Sequence, residues 1–143
     1  MPSPSGASTT ATVVDSGIKN IDALLSGYKW SGGLGVPANV AYSFPWINGL
    51  SAVFSGPNGS PYSSNGEQTA SQHFGLNSTE QTAAKSALSA WSNVANINFQ
   101  QVTESETNVG DIRFAFSSAS SLDKWWGYAS FPSNYWPKGG DIW

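Results

Sequence analysis

Residues 73–102 read HFGLNSTEQTAAKSALSAWSNVANINFQQV. Within them Ala84, Ala87, Leu88, Trp91, Val94 and Ala95 recur at three- and four-residue spacing, which gathers them on one helical face. Ahead of that face, Asn77 or Ser78 can accept a hydrogen bond from a free first-turn amide. Glu80 or Gln81 stands three residues on, the arrangement of a capping box. From Val94 the period changes: Ile97 and Phe99 alternate with Asn96 and Asn98, as in a strand with one buried face. A capped helix that passes directly into a strand predicts a sheet packed on the helix's apolar face. On that reading Trp91 is a core residue, and Trp91→Ala is expected to cost roughly 3–5 kcal/mol.

Upstream, residues 1–14 are rich in Pro, Ser, Thr and Ala and read as a flexible leader, with a single domain over residues 15–143. Asp15 or Ser16 is placed to cap a short helix whose Ile18, Ile21, Leu24 and Leu25 share a face, closed by Gly27. Pro37 to Phe44 reads as a strand, with Val40, Tyr42 and Phe44 opposite Ala41 and Ser43, and Pro45 ends it. Trp46 to Gln72 carries loop signals such as Asn48-Gly49, Asn58-Gly59 and Asn65-Gly66, with room for a short helical turn. Downstream, Ile112, Phe114 and Phe116 alternate with Asp111, Arg113 and Ala115. A short strand stopped by Pro132 follows, and Gly140 to Trp143 opens another. The fold class is therefore α+β, a mixed sheet with the central helix on one face, its first crossover right-handed.

Composition excludes several functions. The chain has 143 residues, enough for one domain, and only 10% of them are charged. A net charge of −3 and six scattered Lys and Arg give no phosphate-tracking stripe, so nucleic acid is not an expected partner. Cysteine is absent, which removes disulfides, thiolate nucleophiles and Cys-based zinc sites. No apolar run is long enough to span a bilayer, and the first residues do not have the pattern of a signal peptide.

His73 is the single histidine and has no serine in a nucleophile elbow to serve, so it reads as structural or solvent-exposed. Glu104, Glu106 and Asp111 flank a turn. They read as turn chemistry, because nothing basic or evidently buried accompanies them. The aromatic residues carry more. Of seven Trp, four fall in the last twenty residues, with Tyr128, Phe131 and Tyr135 among them. Alternation puts Trp126, Tyr128 and Ser130 on one face and Trp125, Gly127, Ala129 and Phe131 on the other. About half of these rings are expected in core and loop packing, and the rest form a peptide- or sugar-binding surface or an interface.

Taken in order, Ile21 to Trp30, Val40 to Phe44, Thr79 to Phe99, Asp111 to Phe114, Gly127-Tyr128-Ala129-Ser130-Phe131-Pro132 and Gly139-Gly140-Asp141-Ile142-Trp143 resemble the N-terminal half of the catalytic domain of serralysin-type metalloproteases. These are secreted zinc endopeptidases of the metzincin group. The resemblance implies a mainly parallel, five-stranded twisted sheet with a long helix on one face, the upper wall of a substrate cleft. It implies that Gly127, Tyr128, Ala129, Ser130 and Phe131 form an antiparallel edge strand that pairs with an extended protein or peptide substrate.

The family's zinc motif, H-E-x-x-H-x-x-G-x-x-H, is absent, as are its calcium-binding repeats, and Met1 is the only methionine, which leaves no Met-turn. Zinc, and calcium in a C-terminal region, are expected of the complete family enzyme. Neither is expected from motifs of this chain, which is read as catalytically incomplete and truncated before the active-site helix. The resemblance then implies a C-terminal part of the protease or a second chain as partner, and an extracellular location. The alternative is a non-enzymatic domain that binds a peptide, glycan or partner through the same edge and its aromatic residues.

Overall fold

A computed structural model of the chain describes residues 3–4, 10–30, 35–47, 62–105, 108–133 and 138–143. The strands are β1 (Ser3–Pro4), β2 (Thr10–Thr12), β3 (Tyr28–Trp30), β4 (Ala38–Ser43), β5 (His73–Gly75), β6 (Ile97–Gln101), β7 (Asn108–Val109), β8 (Ile112–Arg113) and β9 (Ala115–Ser117). Two α-helices, α1 (Lys19–Asp22) and α2 (Ser78–Ser92), and short 3₁₀ turns at Glu67–Thr69 and Ser120–Leu122 complete the described elements. The class is mixed α+β, as expected.

The centre is a three-stranded parallel sheet in the order β6–β4–β8. Its register sets Ala38 opposite Ile97, Val40 opposite Phe99 and Tyr42 opposite both Gln101 and Ile112. Strand β4 is the middle of this sheet and is buried on both faces, which is the usual state of a parallel strand. One face carries Val40, Tyr42, Phe44, Ile112 and Phe114, joined by Ala38 and by Leu88 of α2. Tyr42 meets Phe44 and Phe114 edge-on, at ring-centroid distances of 5.7 and 6.4 Å. The opposite face gathers Tyr62, Val109, Ala115 and Trp143.

Beyond β8 the chain keeps pairing. Phe114 bridges Ile142 in parallel, and Ile142 bridges Ala129 in antiparallel sense. Strand β9 also pairs with β5, setting Phe74 on Phe116 with ring centroids 5.0 Å apart. Two pieces of the expected leader pair as well, β1 with β7 and β2 with β3. Gly27 has φ +86°, the left-handed turn residue that separates α1 from β3. The start of α1 differs from expectation: Ile18 occupies the N-cap position, and Ser16 binds Asp22 and the Ile18 amide instead.

Helix α2 forms where its cap predicts. The Asn77 side chain accepts from the amides of Thr79 and Glu80 at 2.9 and 3.1 Å, and the Glu80 carboxylate accepts from the Asn77 amide at 2.8 Å. Asn77→Ala removes the acceptor for two otherwise open amides and is expected to cost about 1 kcal/mol of stability, measurable by urea denaturation.

The expected apolar face of α2 needs correction. Leu88 is 8% exposed, but Trp91 is 62% and Val94 79% exposed. The core takes Ala84 and Leu88 from the helix and stops there. Trp91 falls in the final turn, and Val94 and Ala95 lie past Ser92 in the turn that leads into β6, where helical periodicity no longer places side chains. The helix is a scaffold resting on Leu88, and Trp91 is not its anchor.

Candidate functional site

The polar residues read from sequence as turn chemistry form part of the fold's interior. Glu104 and Arg113 are both buried. Arg113 Nε donates to Glu104 Oε1 at 2.6 Å and Nη2 to Oε2 at 2.8 Å, a two-pronged match of planar guanidinium to carboxylate. Ser43 Oγ donates to Glu104 Oε1 at 2.8 Å and accepts from the Gly110 amide at 3.0 Å. Asp111 accepts from the Ala41 amide at 2.7 Å. Gly110 lies so close to β4 that a Cβ there would stand 2.6 Å from the Ser43 nitrogen, which is why glycine fits. Glu106 lies outside the described residues.

Asp141 brings the C-terminal segment into this network. It is fully buried, accepts from the Tyr62 hydroxyl, and accepts from the Arg113 amide at 3.2 Å. Burial pushes its carboxyl well above the usual range, only partly offset by the Arg113 charge and the Tyr62 hydrogen bond. Burial, with the Asp141 charge, pushes the Tyr62 hydroxyl up as well. For Arg113, burial works against the charge, but the Glu104 hydrogen bonds together with the charges of Tyr62, Glu104 and Asp141 outweigh it and hold the proton.

A carboxyl raised by folding stabilises the fold while it is protonated, and that share is lost as pH rises through the raised value. Stability is therefore expected to fall as pH climbs above the ordinary carboxylate value of 3.8. Asp141→Asn, similar in shape and always neutral, is expected to flatten that slope in denaturation curves taken across pH.

This network fixes the strand that carries the candidate site. The Tyr128 amide donates to the Trp143 carbonyl and the Trp143 amide to the Tyr128 carbonyl, each at 2.7 Å. The Ser130 amide donates to the Asp141 carbonyl at 2.9 Å, and the Ser130 carbonyl accepts from Gly140 at 3.2 Å. The inward groups of residues 128 and 130 are thus used. By strand alternation the amides and carbonyls of Gly127, Ala129 and Phe131 face the other way, and none of them has a backbone partner among the described residues.

Exposure follows the same alternation. Tyr128 and Ser130 are half-buried; Gly127, Ala129 and Phe131 are exposed. Trp126, expected on the Tyr128 face, stands in solvent because it precedes the paired residues. Among the described residues, then, Gly127, Ala129 and Phe131 make no backbone hydrogen bond, while Tyr128 and Ser130 pair with the C-terminal segment.

Next to this edge lies a cavity of about 240 Å³. Its walls include Phe116, Leu122, Trp125, Trp126, Tyr128 and Trp143. Sequence reading placed Trp125, Trp126 and Tyr128 near such a surface but did not join them to Phe116 or Leu122, since only the fold brings those segments together. Behind it, the Trp46 ring lies between His73 and Trp143, at 4.7 and 5.8 Å. Trp46 has φ +60°, a left-handed conformation rare for a bulky residue.

His73 is exposed, its Nδ1 2.9 Å from the Ala70 carbonyl. Among the described residues no three His, Asp or Glu side chains converge as a metal site. His73, as the only histidine, cannot supply a three-histidine zinc site, so no step of zinc chemistry is assigned to this chain. Also among the described residues, no helix is long and apolar enough to cross a membrane. Compared with known proteins, the chain matches no family model and no curated protein sequence.

Proposed function

We propose that this chain is the substrate-binding upper part of a secreted, serralysin-like zinc endopeptidase, and that Gly127 to Phe131 is the edge to which an extended peptide adds as a further strand. The carrying observation is that Gly127, Ala129 and Phe131 have no backbone partner among the described residues, on a segment held antiparallel to Asp141–Trp143. The bridges of Phe114 to Ile142 and of Ile142 to Ala129 support a sheet that extends from three strands to five, with its last strand antiparallel. An added strand gains main-chain hydrogen bonds with little dependence on side chains, which suits a protease that accepts many sequences. Zinc and its ligands belong to a part of the enzyme other than these residues. A non-catalytic peptide-binding domain is the second reading, favoured by an edge and cavity that need no metal to be complete.

The test uses a fluorescently labelled, capped peptide of alternating Thr and Val, followed by anisotropy. Binding is expected, and methylation of the peptide's own backbone nitrogens is expected to weaken it at least tenfold. Equal binding of methylated and unmethylated peptide would contradict strand addition. Coding sequence beyond Trp143 that contains H-E-x-x-H-x-x-G-x-x-H favours the protease over the binder. Chelator-sensitive proteolysis by the 143-residue chain with added Zn²⁺ would refute its catalytic incompleteness.

A further inference from the structure

The geometry points to the cavity beside Gly127 and Tyr128 as a selectivity pocket for one bulky apolar side chain, Phe, Leu or Met, of a peptide bound along the Gly127–Phe131 edge. This rests on the strand-addition reading and adds a preference to it. Three observations carry it.

The first is continuity. Gly127 and Tyr128 belong both to the open edge and to the cavity wall, so a peptide paired at the Gly127 end passes the cavity mouth. Tyr128 is paired with Trp143, and both line the cavity. It therefore opens on the face they share, and side chains of an added strand that point to this face are in line with it.

The second is size and lining. About 240 Å³ accommodates one large side chain, and five rings, those of Phe116, Trp125, Trp126, Tyr128 and Trp143, line it beside a larger share of polar surface. Trp125 and Trp126 are exposed without a ligand, so an entering apolar group would remove ring surface from water on both sides of the contact.

The third is charge. Asp123 is the one charged side chain among the described residues of the lining, and Lys138, outside that lining, has its Nζ 5.9 Å over the Tyr128 ring. The lining thus meets an acidic ligand side chain with repulsion from Asp123. Among the side chains that remain, ring contact favours an apolar one.

The test varies one position of the alternating Thr/Val peptide among Phe, Leu, Ser, Lys and Glu and measures affinity by anisotropy. Phe and Leu peptides are expected to bind about tenfold to a hundredfold tighter than the Ser peptide. Trp126→Ala, at a fully exposed position that leaves the core intact, is expected to reduce that ratio several-fold while the Ser peptide binds as before. A parent protein that binds Phe and Ser peptides equally, or prefers Lys, overturns the pocket and leaves strand addition standing. Failure of every peptide to bind removes the edge reading, and this one with it.

Discussion

Arg113→Ala is expected to lower the free energy of unfolding by about 3–5 kcal/mol. Arg113 is 1% exposed and holds both oxygens of Glu104, which is itself buried and accepts from Ser43. Truncation leaves a carboxylate in the interior with its countercharge gone, and that uncompensated charge costs more than the lost attraction. The distinction is measurable. If the cost comes from the stranded charge, replacing both partners, Arg113→Met with Glu104→Leu, is expected to lose much less than the sum of the single changes. Urea denaturation of the two single variants and the pair completes the cycle. Additive losses would mean that the two side chains act separately, against their shared geometry. The effect also extends to the site, because the Arg113 amide is bound to Asp141, whose carbonyl in turn accepts from Ser130.

Leu88→Ala is expected to cost about 2–5 kcal/mol, whereas Trp91→Ala costs less than about 1.5 kcal/mol. The larger residue gives the smaller loss because burial decides. Leu88 packs into the cluster of Val40, Tyr42, Phe44 and Phe114, while most of the Trp91 surface already meets water. Thermal or urea unfolding of both variants under one condition checks the order. A Trp91→Ala loss equal to that of Leu88→Ala would restore Trp91 to the core and overturn the helix placement given above.

Local signals were legible in the sequence because their causes are local. The Asn77–Glu80 cap spans four residues, and the alternation of Ile97 and Phe99 needs only neighbours to be read. The Ala38–Ser43 strand was legible for the same reason, but the status of its second face was not. Ser43, Asp111 and Arg113 look like a solvated face in sequence, yet they are buried because partners arrive from other segments: Glu104 for Ser43 and Arg113, Asp141 for the Arg113 amide, and the Ala41 amide for Asp111. Nothing in the spacing of Glu104 and Arg113 says that the turn between them folds back.

Trp91 failed for the complementary reason. Helical periodicity identifies a face but not where the covering sheet ends. At the site, Gly127 to Phe131 are offered as an edge by the family resemblance alone. The direction of their free backbone groups could not be read from sequence, since it depends on register with Asp141–Trp143, and the cavity depends on Phe116 and Leu122 arriving from other segments.

Amide hydrogen exchange across residues 127–131, with and without the alternating Thr/Val peptide, tests the central claim most directly. In the free chain the amides of Tyr128 and Ser130, which donate to Trp143 and Asp141, are predicted to exchange slowly, and those of Gly127, Ala129 and Phe131 quickly. With saturating peptide, Ala129 and at least one of its two outward neighbours are predicted to become protected, while Tyr128 and Ser130 change little. Uniformly fast exchange across the five residues with peptide bound, or protection appearing only elsewhere in the chain, would contradict the account.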